Sequence, residues 1–160
     1  MVRKCVVVFI TLLAISCDTK TVYTEYRSLD NGIWSATDTL DFGLKELDST
    51  LDYNVFLNVR NNNEFAFSNL FLITELERPN GETTKDTLEY EMALPDGSWL
   101  GKGQGSIKES KLWFREKIVF PDSGVYHIRV VHAMRKNGQV EGIDALTGIT
   151  DVGIQIEKTD

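Results

Sequence analysis

Leu51-Asp52-Tyr53-Asn54-Val55-Phe56-Leu57-Asn58-Val59-Arg60 is the stretch that decides the fold. Leu51, Tyr53, Val55, Leu57 and Val59 recur at every second position, and Asp52, Asn54, Asn58 and Arg60 stand between them. A period of two is that of a strand with one face in a core and the other in water. Asn61-Asn62-Asn63 then reads as a turn. The same signature continues on both sides. Over residues 69–78, Leu70, Leu72, Thr74 and Leu76 alternate with Phe71, Ile73, Glu75 and Glu77, and Pro79-Asn80-Gly81 ends the run. Leu88, Tyr90, Met92 and Leu94 alternate with the outward Glu89 and Glu91. Residues 111–120, 124–134 and 149–158 complete the series. Their expected core positions are Ile118 and Phe120, then Tyr126, Ile128 and Val130, then Val152, Ile154 and Ile156. Residues 38–44 and 23–28 add two more strands.

About eight short strands with Gly, Pro and Asn punctuation, and no helical run able to cross between parallel strands, predict an all-β antiparallel sandwich. A jelly-roll order is the expectation within that class; the pattern does not fix strand order, so an immunoglobulin-like arrangement stays open. There is no repeat at solenoid spacing.

The N-terminus reads differently. Arg3 and Lys4 precede an apolar run broken only by Thr11, which leads into Ala14-Ile15-Ser16-Cys17. This is the pattern of a lipoprotein signal peptide, and the run falls short of the roughly 18 to 20 residues that a spanning helix needs. The expected organisation is a cleaved signal over 1–16, a lipidated Cys17 with a short tether over 17–23, and a single sandwich domain over 24–160. Two or three acyl chains on Cys17 would hold an aqueous domain firmly on a leaflet. Cleavage leaves 144 residues (160 − 16) with 15 basic and 24 acidic side chains, a net charge of −9. That balance argues against nucleic acid or an anionic headgroup surface as a partner. Cys5 leaves with the signal and Cys17 is lipidated, so the folded part has neither a disulfide nor thiol chemistry.

Constellations fit for catalysis are scarce. His127 and His132 are the only histidines, and their odd separation along one strand sends them to opposite faces, as ordinary surface or edge residues with no metal between them. No Gly-x-Ser-x-Gly elbow accompanies either. Glu75 with Glu77, and Glu89 with Glu91, place carboxylates about 7 Å apart along a strand, within the glycosidase range, but on faces expected to be wet. Asp30-Asn31-Gly32 and Asn61-Asn62-Asn63-Glu64 read as turns rather than calcium loops. No catalytic residue, metal or cofactor is expected. Pro95-Asp96-Gly97-Ser98-Trp99-Leu100-Gly101-Lys102-Gly103 resembles a phosphate loop only superficially, since no Ser or Thr follows the Lys and no helix opens behind it. It reads as a long hairpin whose Trp99 pins it to the sandwich or is offered to a partner. Trp113, with Lys111, Arg115 and Lys117 on the same predicted face, is the second candidate contact surface for protein or glycan. Asp38-Thr39-Leu40 and Asp86-Thr87-Leu88 resemble the Asp-Thr-aliphatic acceptor of some envelope O-glycosylation systems, though both read first as strand openings.

Several of these pieces occur together in one order: the lipobox cysteine, Asp38-Thr39-Leu40-Asp41-Phe42, Tyr53-Asn54-Val55, Val59-Arg60-Asn61-Asn62, Ser68-Asn69-Leu70-Phe71-Leu72, Gly97-Ser98-Trp99-Leu100-Gly101-Lys102-Gly103, Gly124-Val125-Tyr126, Ala133-Met134-Arg135 and Asp151-Val152-Gly153-Ile154. In this the chain resembles the gliding motility lipoprotein GldH family over nearly all of its mature length. The resemblance implies a non-enzymatic lipoprotein of the Gram-negative envelope, needed by the machinery that moves surface adhesins and linked to secretion. The expected role is a lipid-anchored scaffold or adaptor for envelope proteins of that apparatus, contacting them through the Trp99 loop or the Trp113 face. A lipid-anchored glycan-binding module is the alternative. The absence of an acidic run after Cys17 points to a periplasmic-facing domain.

Overall fold

The computed structural model describes residues 20–45 and 47–159. The predicted signal peptide and Cys17 lie outside the described residues. The strands are β1 (Thr21–Ser28), β2 (Ile33–Ser35), β3 (Leu40–Leu44), β4 (Tyr53–Asn61), β5 (Asn69–Glu77), β6 (Thr83–Glu91), β7 (Lys108–Ile118), β8 (Tyr126–His132), β9 (Ala145–Thr147) and β10 (Ile149–Lys158). One 3-10 turn, Asp30–Gly32, stands between β1 and β2. Among the described residues no helix is long and apolar enough to cross a membrane.

Two four-stranded antiparallel sheets, in the orders β1-β10-β4-β7 and β3-β8-β5-β6, face each other. With the two short strands set aside, the first strand pairs with the last (β1 with β10), the second with the seventh (β3 with β8), the third with the sixth (β4 with β7) and the fourth with the fifth (β5 with β6). A single long hairpin rolled upon itself gives this nesting, which is the jelly-roll arrangement rather than the immunoglobulin one. The core lies between the sheets. Val55, Leu57, Val59, Val152, Ile154 and Ile156 of the first sheet meet Phe42, Leu70, Leu72, Ile128 and Val130 of the second, all buried. Each such side chain contributes about 1.5–3 kcal/mol through removal from water.

The alternation in β5, β8 and β10 appears as expected, and β1 begins at Thr21, two residues earlier than the sequence pattern placed it. Three features differ from the sequence reading. In β4 the face expected to be wet is also covered, with Phe56 at 5% and Asn58 at 1% exposure. β4 lies between β10 and β7, so side chains from both neighbours close over it. Asn58 tolerates burial because its amide donates to Gln155 Oε1 at 2.7 Å and to the Tyr26 hydroxyl at 3.0 Å. Next, β2 and β9 form a two-stranded sheet that three-residue lengths hide from any periodicity. It buries Trp34 and Leu146 completely or nearly so, and Trp34 Nε1 donates to the Asp38 carbonyl at 2.9 Å. Finally, Asp86-Thr87-Leu88 sits inside β6 rather than at its start, because the strand opens at Thr83 through polar residues that overhang the core. Thr39, by contrast, directly precedes β3.

The passage from β9 into β10 requires a glycine. Gly148 has φ +91°, and a Cβ there would lie 2.0 Å from the Phe65 amide nitrogen.

Register fixes which loops share an end of the sandwich. Tyr53 pairs with Ile118 and Lys158, and Glu157 with Thr21, so the starts of β1 and β4 lie with the ends of β7 and β10. Tyr126 pairs with Leu44, and Glu77 with His127 and Thr83, which gathers one end of the second sheet. The Phe120 ring lies 5.9 Å from that of Tyr53, tilted, and 5.0 Å from that of Tyr126, edge-on, which joins these two ends into one. The segment carrying Trp99 is at the other.

Candidate functional site

Trp113 lies on β7, an edge strand, where Ser110 and Phe114 are buried and Lys111 faces solvent. It is 54% exposed and is the one aromatic among the large apolar side chains that are exposed in the described residues. Its ring leans on Phe56 at 4.4 Å between centroids and 52° between planes. Lys111 Nζ stands 4.1 Å from the Phe56 centroid and pairs with Glu157, so two of the four candidate residues, Lys111 and Trp113, share Phe56 as a floor. The arrangement is a small apolar patch with a charged rim.

Arg115 goes elsewhere. Two register shifts interrupt the pairing of β4 with β7, and Phe56 pairs with Trp113 while Val55 pairs with Arg115. That bulge turns the strand, and the guanidinium pairs with Asp86 of β6 and lies 4.5 Å from the Phe114 centroid. The Tyr90 hydroxyl donates to the Trp113 carbonyl at 2.6 Å across the same edge. Burial pushes the Tyr90 phenol up to about 12, so it stays a donor at neutral pH. Arg115 and Tyr90 thus tie the two sheets together where both have an open edge, which blunts each edge against pairing with another chain.

Trp99 is half-buried and packs on the core, with its ring 6.1 Å from that of Phe65. The loop that carries it folds back by backbone bonds: Leu94 N donates to Ser98 O, Leu100 N to Met92 O, and Lys102 and Glu109 exchange two bonds of 2.8 Å. Asp96 Oδ1 accepts from the Ser98 amide, and the Ser98 hydroxyl and amide together hold the Asp96 carboxyl below the usual carboxylate range. At Gly101 a Cβ would come 2.8 Å from Ser110 Oγ, so the backbone lies flat on β7. These contacts make the Gly-rich stretch a pinned hairpin.

The remaining candidates separate. Arg129 Nη1 bridges Glu75 at 2.9 Å and Glu77, and both acids raise the guanidinium above its ordinary value. Asn69 donates to Glu89 at 2.9 Å. Neither carboxylate pair lies in an apolar cleft. His127 Nδ1 is 2.9 Å from Asp41 Oδ1 at the surface. His132 corrects the expectation of a surface or edge residue: at 4% exposure it is buried, 3.0 Å from the Trp34 carbonyl and edge-on to the Trp34 ring at 5.5 Å. The missed β2 is what covers it. Burial lowers its pKa, and the Trp34 carbonyl, which favours a proton, offsets this only in part.

A second surface feature escaped the sequence reading. Ala66, Phe67 and Asn69 face residues 134–139 across a groove of about 610 Å³. Over Phe71 and Arg135 it meets a more apolar depression of about 380 Å³, lined by Ile73, Thr87 and Ala133. No alternation predicts it, because half of its wall is an irregular loop.

Comparison with known proteins gives one consistent result. The family model described as GldH lipoprotein matches residues 21–156. A Christiangramia forsetii protein named Gliding motility lipoprotein GldH homolog is 51% identical over 153 residues, covering 96% of this chain and 93% of that one. The Flavobacterium johnsoniae Gliding motility lipoprotein GldH is 47% identical over 149 residues, covering 93% and 92%. Among solved structures, a crystal structure of the infectious bursal disease virus VP2 subviral particle aligns with 88% of this chain and 34% of its own, at TM-score 0.34 and 12% identity. That likeness is too remote to bear on function.

Proposed function

The chain belongs to the GldH lipoprotein family, and on that premise we propose that it is a non-enzymatic, lipid-anchored envelope protein that serves the gliding machinery as a scaffold or adaptor. Cys17 carries the lipid and the sandwich faces the periplasm. Partners are envelope proteins of the motility and secretion apparatus, met through the Trp113 face with Lys111 at its rim.

One observation carries the choice of protein over glycan. Sugar-binding sandwiches stack rings on aromatic platforms, whereas Trp113 is the one exposed aromatic among the described residues. A single anchor with a polar rim is the anatomy of a protein contact. Trp99, held against Phe65, supports its loop rather than offering itself.

The test is crosslinking in intact cells followed by affinity capture, comparing the wild type with Trp113→Ala and Trp99→Ala. Loss of specific envelope proteins from Trp113→Ala, at unchanged abundance of the variant, is the expected outcome. Retention of cell-wall or polysaccharide material with no protein partner would replace the adaptor by the glycan-binding reading.

A further inference from the structure

We propose that the end of the sandwich formed by loops 47–52, 78–82 and 119–125 rests on the lipid leaflet, and that the Trp99 end is held out toward the aqueous space. This rests on lipidation of Cys17. The structure supplies the geometry: β1 begins at Thr21, at the end where β4 starts and where β7 and β10 finish. Lys158 N donates to Lys20 O at 2.9 Å, so the chain is already fixed to the sandwich at residue 20. Three residue steps separate Lys20 from Cys17, a reach of roughly 11 Å at full extension. The strands between the two ends, nine residues in β4, span about 30 Å. A tether about a third of that length cannot bring the far end to the leaflet while the near end stands off.

The near end is rigid enough to act as a foot. Thr159 N and Oγ1 both bond the Asp52 carbonyl, Asp48 N donates to the Tyr53 hydroxyl, and Arg78 lies 4.0 Å from Asp122. Gly124 is pressed against Pro79, where a Cβ would come within 2.8 Å. These contacts lock loop 78–82 to loop 119–125, and loop 47–52 to the residue that follows β10. Val22 and Val119, 41% and 42% exposed, lie at this end on β1 and just past β7, the two edge strands of the first sheet. At the far end Leu94, Leu100, Ile107 and Val140 are exposed on loops, which places apolar contact surface where a protein in the periplasm can reach it.

The cysteine inventory makes the test clean. Cys5 leaves with the signal and a thioether-linked Cys17 does not react with maleimides, so one introduced cysteine is the only labelled site. Full-length, cell-processed protein carrying Glu82→Cys, Val119→Cys, Gln104→Cys or Val140→Cys is labelled with a fluorophore and reconstituted into zwitterionic phosphatidylcholine vesicles containing headgroup spin-labelled lipid, since the acidic chain is held to the leaflet by its tether and not by headgroup charge. Intact mass is read first. With Cys17 acylated, emission is expected to be lost at positions 82 and 119 and retained at 104 and 140. Equal loss at all four, or greater loss at 104 and 140, overturns the orientation while leaving the anchor intact. Mass without the lipid increment, with Cys17 itself taking the dye, removes the anchor and the orientation together.

Discussion

The Tyr26 ring lies across Gly153: a Cβ built on that glycine would stand 2.6 Å from Tyr26 Cδ1 and 2.9 Å from the Glu25 carbonyl. The two residues are paired across β1 and β10. Gly153 is therefore a matter of space rather than of backbone freedom, and an aromatic on the edge strand covers the gap that a glycine leaves in its neighbour. Tyr26 also receives the Asn58 amide, donates to Glu109 at 3.0 Å and lies under Arg60, whose guanidinium is 4.3 Å from the ring centroid. Gly153→Ala is expected to lower stability by about 1–3 kcal/mol through overpacking. In urea unfolding of the mature domain, Tyr26→Ala combined with Gly153→Ala should cost less than the sum of the two, since the first removes the ring, the nearer of the two groups that the second strikes. Additive costs would disprove the contact.

That pairing explains why part of the molecule was legible in the sequence and part was not. Val152, Ile154 and Ile156 announce a strand because one of their faces is uniformly apolar, and all three are buried. Gly153 interrupts the other face for a reason that lies 127 positions away at Tyr26, beyond the reach of any local pattern. Asn58 reads as wet by residue type, yet β4 is central and its partners Gln155 and Tyr26 come from other strands. Trp34 gives no alternation in a three-residue strand, so neither its burial nor that of His132 beneath it could be read. At the candidate site, parity placed Lys111 and Trp113 together correctly. It failed at Arg115, because a bulge shifts register by one and no residue type marks it.

His132 sets a pH dependence whose sign follows from its burial. Its pKa in the fold is below the ordinary value of about 6.5, so the unfolded chain takes up the proton first as pH falls. The unfolded state then binds more protons than the folded one, and stability declines as pH drops from about 6.5 through the lowered folded value. Above that window the contribution is fully present. Urea midpoints between pH 8 and pH 5 should fall for the wild type, and His132→Gln should flatten this segment of the profile. An unchanged slope in the variant would assign the dependence to other groups.

Thr74 stands among Leu70, Leu72 and Leu76 on the inner face of β5, fully buried, and its hydroxyl has no hydrogen-bond partner. Desolvation of an unpaired hydroxyl costs about 1–3 kcal/mol. Thr74→Val keeps the β-branched side chain and removes that cost, so it should raise stability by about 1 kcal/mol. A loss on substitution would mean that the hydroxyl is satisfied in solution.

Trp99 and Trp113 should part company when each is truncated. Trp99 joins the core through Phe65, and its backbone bridges Ala93, so its loss empties space under the whole 93–100 loop. Trp99→Ala is expected to cost about 2 kcal/mol or more. Trp113 gives up only its lean on Phe56, an aromatic pair worth roughly 0.5–1.5 kcal/mol, and otherwise meets solvent. Trp113→Ala should therefore cost about 1 kcal/mol and leave the unfolding slope unchanged. The difference decides which variant can report on partners: any loss of binding in Trp99→Ala is mixed with loosening of the loop, whereas Trp113→Ala removes a contact from an intact fold. A stability cost for Trp113→Ala as large as that for Trp99→Ala would show that its ring is structural and would withdraw it as the contact residue.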